Sequence, residues 1–420
     1  MISSETGRHS VFRLKNETDM SKVKLTTITP IHVGSGNVLH YNVDYAMQEL
    51  EDGLFVGIID PAKVYQIVGQ ERLDQWVSII DQGKDIKEFV GNCSKESITI
   101  EDYCRRRLWC PQGMHPKQND ELREMIHDGF GHAYIPGSSI KGAIRTALLS
   151  YFINETKFDI DRNIKVEKKE NEWKQKTEYT AKSNVEKKLF GPDPNSDCMR
   201  FVQVGDALFD YDCENVLNMT NLNIRERNSF LDESKHQYVE VVTEDEESHT
   251  FNINIGTLIS DNYIDRFNQF VSKWNETHDE KQKKNAIHKL KIDGISSLVP
   301  IINQHTLRLL RSEERLWSEY DSEDGVSQYI SAIRHLRQQV KSCAENECIL
   351  RIGHASGWRF TTGAWTEEVK DDDIWYGIVD AARPNNETYS DFPFPKSRRI
   401  NYERGTGMIL LGFVKLTFLD

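Results

Sequence analysis

Apolar and polar positions alternate in several short segments of the chain, and this alternation predicts β-strands. The segments are residues 23–31, 41–45, 54–59, 238–242, 251–255 and 408–418. Residues 244–247 form an acidic turn between the fourth and fifth segments, so these two are predicted to pair as a hairpin. Glycines at positions 34 and 36 are predicted to end the first strand in a turn.

Apolar residues spaced three and four positions apart predict helices at residues 62–68, 72–80, 265–290 and 328–340. The clearest helix follows Pro136, where seven apolar residues fall on one face. They are Ile140, Ala143, Ile144, Ala147, Leu148, Tyr151 and Phe152. Residues 157–188 are rich in Lys and Glu, which is typical of an exposed helical insertion or of a disordered loop.

Strands and helices therefore occur on both sides of the charged insertion, in an order that favours an α+β fold over one doubly wound sheet. A chain of 420 residues exceeds what one core usually supports. We predict two domains, at residues 1–200, with the insertion at 157–188, and at residues 201–420.

Composition narrows the range of functions. A hydrophobic fraction of 38% and an aromatic fraction of 10% are enough for packed cores. The net charge of −13 argues against a uniformly basic nucleic-acid coat but is compatible with a local cationic groove. Apolar runs are too short for a membrane helix, so no membrane partner is expected. Seven scattered cysteines without a Cys-x-x-Cys pair predict free thiols, no zinc site and a cytoplasmic location.

The start of the helix after Pro136 is a candidate phosphate site. Ser138 or Ser139 can serve as the N-cap, and Lys141 and Arg145 lie one turn apart on the same side. Cations near a helix N-terminus are unfavourable unless an anion compensates them, and free N–H groups there bind phosphates. The alternative is a capped helix with solvated cations.

The glycine-rich turn after the first strand is a second candidate. Gly34 and Gly36, with Ser35 and Asn37 between and after them, allow close backbone approach and leave N–H groups for an anion. The alternative is a tight turn that binds nothing. His32 precedes the turn and is either a general base or a hydrogen-bonded structural residue.

The last third of the chain repeats the combination of glycine, aromatic residue and cation. Its candidate residues for RNA binding are Trp358, Arg359, Lys396, Arg398 and Arg399. Aromatic faces stack on bases and cations hold phosphates. The alternative is a core tryptophan beside a solvated basic loop.

Three acidic residues near turns, Asp44, Asp60 and Asp206, have no spacing that specifies magnesium. We expect them to form turns. Neither a metal nor another cofactor is predicted.

Five segments together resemble the RAMP superfamily of CRISPR-associated proteins, and most closely the fifth Csm subunit of type III-A effector complexes. Residues 29–36 resemble the family's opening strand and turn, and residues 350–362 its later glycine-rich segment. Residues 135–148, Ile-Pro-Gly-Ser-Ser-Ile-Lys-Gly-Ala-Ile-Arg-Thr-Ala-Leu, resemble its most specific motif. Residues 395–399 and 411–416 resemble its C-terminal signature. The chain departs from this pattern in the 157–188 insertion and at His354 and Ala355, where more glycine is usual.

The resemblance implies two ferredoxin-like (RRM-like) domains and a non-catalytic subunit that caps the 3′-end side of an RNA-guided complex and supports maturation of the CRISPR RNA. Its implied partners are CRISPR RNA, target RNA, the backbone RAMP subunit, the small subunit and host nucleases. The alternative is a metal-independent endoribonuclease that processes CRISPR repeat RNA with His32 as general base. A third hypothesis is a backbone subunit that cuts target RNA with a metal and Asp44.

Overall fold

The computed structural model describes residues 20–94, 97–111, 115–116, 120–171, 176–224, 230–255, 257–289, 292, 294–323, 325–361, 363–382, 394–403 and 407–419. Its strands are β1 (Met20–Thr27), β2 (Gly34–His40), β3 (Tyr45–Leu50), β4 (Gly53–Ile59), β5 (Cys104–Trp109), β6 (Glu121–Met125), β7 (Tyr134–Ile135), β8 (Ile164–Asn171), β9 (Lys176–Ser183), β10 (Val202–Val204), β11 (Ala207–Leu208), β12 (Glu214–Asn223), β13 (Leu231–Val242), β14 (Phe251–Ile255), β15 (Glu347–Arg351), β16 (Ser397–Glu403), β17 (Gly407–Ile409) and β18 (Phe413–Phe418).

The α-helices are α1 (Pro61–Val68), α2 (Leu73–Asp81), α3 (Ile86–Cys93), α4 (Ile100–Tyr103), α5 (Gly137–Glu155), α6 (Val185–Leu189), α7 (Thr257–Thr277), α8 (Gly294–Ser318), α9 (Val326–Lys341) and α10 (Asp372–Ala382). Within the described ranges, no helix combines the length and the apolar character needed to cross a membrane.

Two large sheets organise these elements. The first has the order β10-β14-β1-β18-β15, with antiparallel neighbours. The second has the order β2-β6-β13-β12-β5-β4-β3, and β16 joins it at β12 and carries β17. The prediction of an α+β fold is confirmed. Strands from both sides of residue 200 contribute to each sheet, and the two-domain division at that residue stays a prediction.

The predicted apolar face of α5 is buried. Ile140, Ile144, Ala147 and Leu148 are fully buried in the largest core, which also contains Leu25 and other residues of the first sheet. Helix α8, which the pattern analysis did not predict, packs against α5, α9 and β15. These contacts hold the C-terminal strands beside the first strand of the chain.

The charged insertion is a β-hairpin, so the prediction of a helix or a disordered loop was wrong. Strands β8 and β9 pair antiparallel along their whole lengths, and the tip at residues 172–175 lies outside the described residues. Helix α10 covers the hairpin so closely that a Cβ atom on Gly377 would lie 2.5 Å from Val166 Cγ1. The cover explains the fold: Val166 packs on the helix while its neighbours Lys165 and Glu167 are exposed.

Two of the strand predictions were also wrong. Residues 41–44 form a turn in which Asn42 has a positive φ of 62°. Strands β13 and β14 belong to different sheets and do not pair as a hairpin. The loop between them instead follows β1, because Asp245 N donates to Thr27 O (2.7 Å) and Ser248 N donates to Leu25 O (2.8 Å).

A buried ion pair joins α8 to β16. The Arg398 guanidinium donates to both carboxylate oxygens of Glu313, at 2.9 and 2.7 Å, and Tyr329 Oη donates to the same carboxylate at 2.9 Å. Burial alone would raise the pKa of Glu313, but the Arg398 charge and its hydrogen bonds lower that pKa to about 2. The pair therefore stabilises the folded state through a fully ionised carboxylate.

We predict that Arg398→Met lowers the free energy of unfolding by about 3 kcal/mol, because it leaves the buried Glu313 carboxylate without its main partner. Urea unfolding at pH 7, followed by circular dichroism, measures this change. Arg399→Met is the matched control: this neighbouring side chain is only half buried and bonds the Lys235 carbonyl oxygen, so its loss should cost less than about 1 kcal/mol.

The pH dependence gives a second measurement of the same effect. A carboxylate with a lowered pKa stabilises the fold above its unfolded pKa, near 4.5, and that contribution is lost as the pH falls towards 2. The stability difference between the wild type and Arg398→Met should therefore be largest above pH 4.5 and shrink in acid. A difference that is independent of pH contradicts the assignment.

Candidate nucleic-acid interface

The start of α5 is fastened to the fold by Asp206. Pro136 is the N-cap, and Gly137 N donates to Asp206 Oδ1 at 2.7 Å. A Cβ atom on Gly137 would lie 2.1 Å from the Val204 carbonyl oxygen, which explains why glycine begins this helix. The prediction that Ser138 or Ser139 caps the helix was wrong: both lie within the first turn, and an acidic side chain already satisfies the first N–H group.

The two cations of α5 have different surroundings. Arg145 donates to Asp197 Oδ2 (2.7 Å) and to Glu186 Oε2 (3.2 Å), and its guanidinium lies 4.1 Å from the centre of the Phe190 ring. Internal carboxylates therefore already neutralise Arg145. Lys141 is half buried, and burial lowers its pKa. Ser138 is exposed at the same helix end.

Glu124 shapes the first glycine-rich segment. Ser35 Oγ and Asn37 Nδ2 donate to Glu124 Oε2, at 3.0 and 2.8 Å, and Asn37 N donates to Ser35 Oγ. Gly36 has a φ of 93° at an irregularity in the pairing of β2 with β6. The segment predicted as a turn is thus a bulged edge of β2, pinned to the neighbouring strand by one carboxylate.

His32 is buried behind this segment. Its Nδ1 lies 2.6 Å from the Glu240 carbonyl oxygen. Because a carbonyl oxygen only accepts, Nδ1 carries the proton and Nε2 is left as the acceptor. The side chain is only 3% exposed, and burial lowers its pKa. His32 is therefore a neutral, hydrogen-bonded residue at this position.

The second glycine-rich segment meets the first directly. His354 N donates to His32 O at 2.8 Å, and the two imidazole rings meet edge to face with centroids 5.6 Å apart. Gly353 has a φ of 80°, and a Cβ atom there would lie 2.4 Å from the His32 carbonyl oxygen. The fold thus brings together two motifs from opposite ends of the chain, which the sequence analysis had found separately.

A cavity of about 350 Å³ lies between the two segments. We call it the glycine pocket; its lining includes His32, Gly34, Gly36, Asn37, Arg123, Gly353 and His354. Gln237 lies beside it, and in one of the two orientations of its amide group the nitrogen donates to His354 Nε2 (3.1 Å) and the oxygen accepts from Arg123 Nη2 (3.0 Å). Arg123 carries no sequence motif, and the sequence analysis missed it.

Arg123 and Glu124 line the glycine pocket, and Arg399 lies nearby. Burial and the nearby charge of Arg123 lower the pKa of Arg399. Burial lowers the pKa of His354 to about 4, with smaller contributions from His32, Arg123 and Arg399. Burial is thus the main cause of both shifts and the neighbouring positive charges add to it, so an anion near these groups would offset the second contribution.

The remaining predicted residues lie elsewhere. Arg398 is paired with Glu313, and Arg359 Nη1 donates to Glu367 Oε1 at 2.7 Å with only 13% of its side chain exposed. Trp358 packs against Gly363, and its Nε1 donates to Thr366 Oγ1. Lys396 is half buried, and its carbonyl oxygen accepts from Ile224 N. The fold does not bring Arg359, Arg398 or Trp358 into the glycine pocket.

The three acidic residues of the sequence analysis bind backbone. Asp44 Oδ2 accepts from His40 N (2.8 Å), Asp60 caps α1 through Ala62 N, and Asp206 bonds Gly137 N. The prediction that they form turns is confirmed for Asp44, whereas Asp60 and Asp206 bind the first N–H groups of helices. The carboxylate that the third hypothesis assigns to catalysis thus accepts a hydrogen bond that closes the turn after β2.

His127, Glu214 and Glu240 lie close enough together to suggest a metal site. The guanidinium of Arg106 lies among them, with Nη1 3.2 Å from Glu214 Oε2 and Nη2 3.1 Å from Glu240 Oε1. Burial raises the pKa of Glu240 to about 7 in spite of the Arg106 charge. A side-chain cation thus occupies the place of an ion, and the expectation of no metal stays a prediction.

The chain is similar to known proteins over most of its length. A family model described as RAMPs, the RAMP superfamily, matches residues 24–360. A Methanocaldococcus jannaschii protein named CRISPR system Cms protein Csm5 is 26% identical over 330 residues, which cover 73% of this chain and 69% of that protein.

Solved structures share the fold. One chain of a cryo-EM structure of a Csm–crRNA–target RNA ternary complex from a type III-A system has a TM-score of 0.64 and 18% identity, and the match covers 94% of this chain and all of that one. The crystal structure of T. onnurineus Csm5 has a TM-score of 0.53 and 16% identity, with coverage of 93% and 99%.

We predict that Gly353→Ala opens the contact between the two glycine-rich segments and lowers the free energy of unfolding by about 2 kcal/mol or more, because the added Cβ overlaps the His32 carbonyl and the backbone is left-handed. Thermal and urea unfolding measure the loss. Gly357→Ala is the control, since Gly357 has a similar φ of 74° with no atom within 4 Å of the Cβ position. Equal losses in both variants would mean that strain alone, and not the close approach, governs Gly353.

Proposed function

The chain belongs to the RAMP superfamily, and on that premise we propose that it is a non-catalytic CRISPR RNA-binding and assembly subunit of a type III-A Csm interference complex. Its similarity to a protein named Csm5 over most of both chains supports the subunit type. A shared fold with one chain of a Csm–crRNA–target RNA complex agrees with this assignment.

In this proposal the subunit caps the 3′-end side of the complex and supports maturation of the CRISPR RNA. Its partners are CRISPR RNA, target RNA, the backbone RAMP subunit and the small subunit, with host nucleases recruited for the maturation step, and its location is cytoplasmic. The order of the motifs along the chain, from residues 29–36 to residues 411–416, supports this place in the complex.

The glycine pocket is the observation that carries the proposal. Arg123 lies beside glycine backbones that a strand of RNA can approach closely, and the positive charge of Arg399 is nearby. A phosphate group in the pocket would accept hydrogen bonds from Arg123, and the Arg399 charge would add to the attraction. Single-stranded RNA fits the open, narrow cavity because its phosphates and bases are separately accessible.

The proposed interface therefore consists of the glycine pocket and the exposed start of α5. It keeps His32 as a positioning residue, Gly34 to Asn37 as the approach surface, and Arg399. Ser138, Ser139, Lys141 and Lys396 stay in the proposal as flanking contacts with RNA or with a neighbouring subunit. Arg145, Arg359, Arg398 and Trp358 are left out, because internal partners hold them.

Charge explains why assembly matters. The whole chain carries −13, so long-range repulsion opposes RNA while the pocket attracts it locally. We expect weak RNA binding by the isolated chain at physiological salt and firm binding within the complex, where neighbouring subunits complete the groove.

Replacing Arg123 of the pocket together with the nearby Arg399, as Arg123→Gln with Arg399→Gln, should weaken binding of a fluorescent 20-nucleotide RNA. It should also reduce the slope of log K against log salt by roughly 1 to 1.5, as expected for two lost phosphate contacts on a single strand. Titrations between 50 and 200 mM salt measure both quantities.

Arg162→Gln is the control, since Arg162 is an exposed cation with 86% of its side chain accessible and is paired with Asp159. It removes a positive charge without touching the pocket. If the pocket variant matches this control in affinity and in slope, Arg123 and Arg399 are not RNA contacts.

The endoribonuclease alternative predicts cleavage of repeat RNA by the purified chain in EDTA, abolished by His32→Ala. We expect no such cleavage, because His32 is buried and its Nδ1 is committed to the Glu240 carbonyl oxygen. Denaturing gels of labelled repeat RNA measure it, with Gln237→Ala as a control that alters the pocket but leaves His32 in place. Cleavage lost only in the His32 variant would replace the proposed function by the enzymatic one.

A further inference from the structure

Among the described residues, helix α7 makes few contacts with the other named helices and strands, and its buried residues Ile264 and Val271 lie outside the main cores. The segment that follows, residues 278–289, returns along the helix. Asn275 exchanges hydrogen bonds with both backbone groups of Lys284, and Asn268 does the same with Ile287, at distances of 2.8 to 2.9 Å.

A continuous row of aromatic rings runs along the arm formed by α7 and residues 278–289. It consists of Phe201, Tyr263, Phe267, Phe270, Trp274 and His278, with successive ring centroids 6.2, 6.0, 6.3, 5.8 and 3.7 Å apart. We call it the aromatic row. Tyr263 and Phe270 are each 46% exposed, although burial is the usual state of such large rings. Tyr263 and Phe270 are therefore accessible to a ligand, whereas His278 and Lys284 lie against the Trp274 ring.

Cations accompany the row. Lys284 Nζ lies 4.2 Å from the centre of the Trp274 ring and 5.1 Å from that of Phe270. Residues 263–289 contain six Lys or Arg and four Asp or Glu, a positive balance in a chain of charge −13. Two of the acids are already paired, Asp265 with Lys289 and Glu280 with Lys283.

We propose that the aromatic row binds single-stranded RNA by stacking its bases on Tyr263 and Phe270 while the adjoining lysines contact phosphates. Exposed rings flanked by cations are the combination that holds single strands without reading their sequence. A protein partner is the weaker match, because lysines are depleted at the centres of protein–protein interfaces. The inference rests on the proposed function and adds a second, separate RNA contact to the glycine pocket.

The test variant carries Tyr263→Ser and Phe270→Ser together in the full chain. The control is Phe130→Ser, which removes another exposed ring (84%) far from this arm in sequence. The probes are a fluorescent 20-nucleotide oligouridylate and a duplex of the same length. The affinity for the single strand should fall about fivefold or more for each ring removed, whereas the affinity for the duplex should change little. The salt slope should stay unchanged, because no charge is removed.

Photocrosslinking with 4-thiouridine RNA, both to the full chain and to the assembled complex, gives an independent readout. Crosslinks to peptides that contain Tyr263 or Phe270 support the inference. Unchanged RNA affinity of the variant that carries Tyr263→Ser and Phe270→Ser overturns the inference. The proposed function still stands in that case if Arg123→Gln with Arg399→Gln weakens RNA binding. Loss of another subunit from the complex, with RNA crosslinks unaltered, identifies the row as a protein interface and also overturns the inference.

Discussion

The glycine pocket exists because Gly353 passes against the carbonyl group of His32 with no space for a side chain. The hydrogen bond from His354 N to His32 O fixes this contact, and the loops at both ends are anchored by strands of the first sheet. Strand β1 ends shortly before His32, β15 ends shortly before Gly353, and β18 lies between the two strands in the sheet. The sheet order therefore sets the geometry of the pocket, and any change in strand register would separate its two halves.

A buried network of charges supports the same contact from behind. The backbone carbonyl of Glu240 holds His32, while its carboxylate accepts from Met125 N at 2.8 Å and from Arg106. Arg106 also bonds Glu214, and Glu124 next to it fixes Ser35 and Asn37. Acidic groups behind and beside the pocket thus orient it, and Arg123 is the cation among its lining residues. An acidic chain can therefore still place an arginine beside backbone that a ligand can approach.

Much of the site was accessible to sequence reasoning, and what was not has a physical reason. The buried face of α5 is a local pattern and was predicted correctly, and the two glycine-rich segments were recognised as local motifs, although the first is a bulged strand edge and not a turn. Arg123 was missed because it lies in the ordinary strand sequence Glu-Leu-Arg-Glu-Met, and only the pairing of β6 with β13 brings it to Gln237 and His354. The capping role of Asp206 likewise depends on a contact 69 residues away, which no local pattern contains.

Arg398 and Arg399 show most directly what a sequence motif leaves undetermined. They are adjacent in β16, so their side chains point to opposite faces of the strand. One meets Glu313 of α8 and becomes part of the core, whereas the other is half buried, donates to the Lys235 carbonyl oxygen and lies near Arg123. The motif that contains them therefore combines, in consecutive residues, a buried ion pair and a contact that the proposed function assigns to RNA. The position of α8, a helix whose own pattern was not recognised, decides which of the two arginines is buried. The basic cluster could therefore be located from the sequence, but the different surroundings of its two arginines could not be predicted.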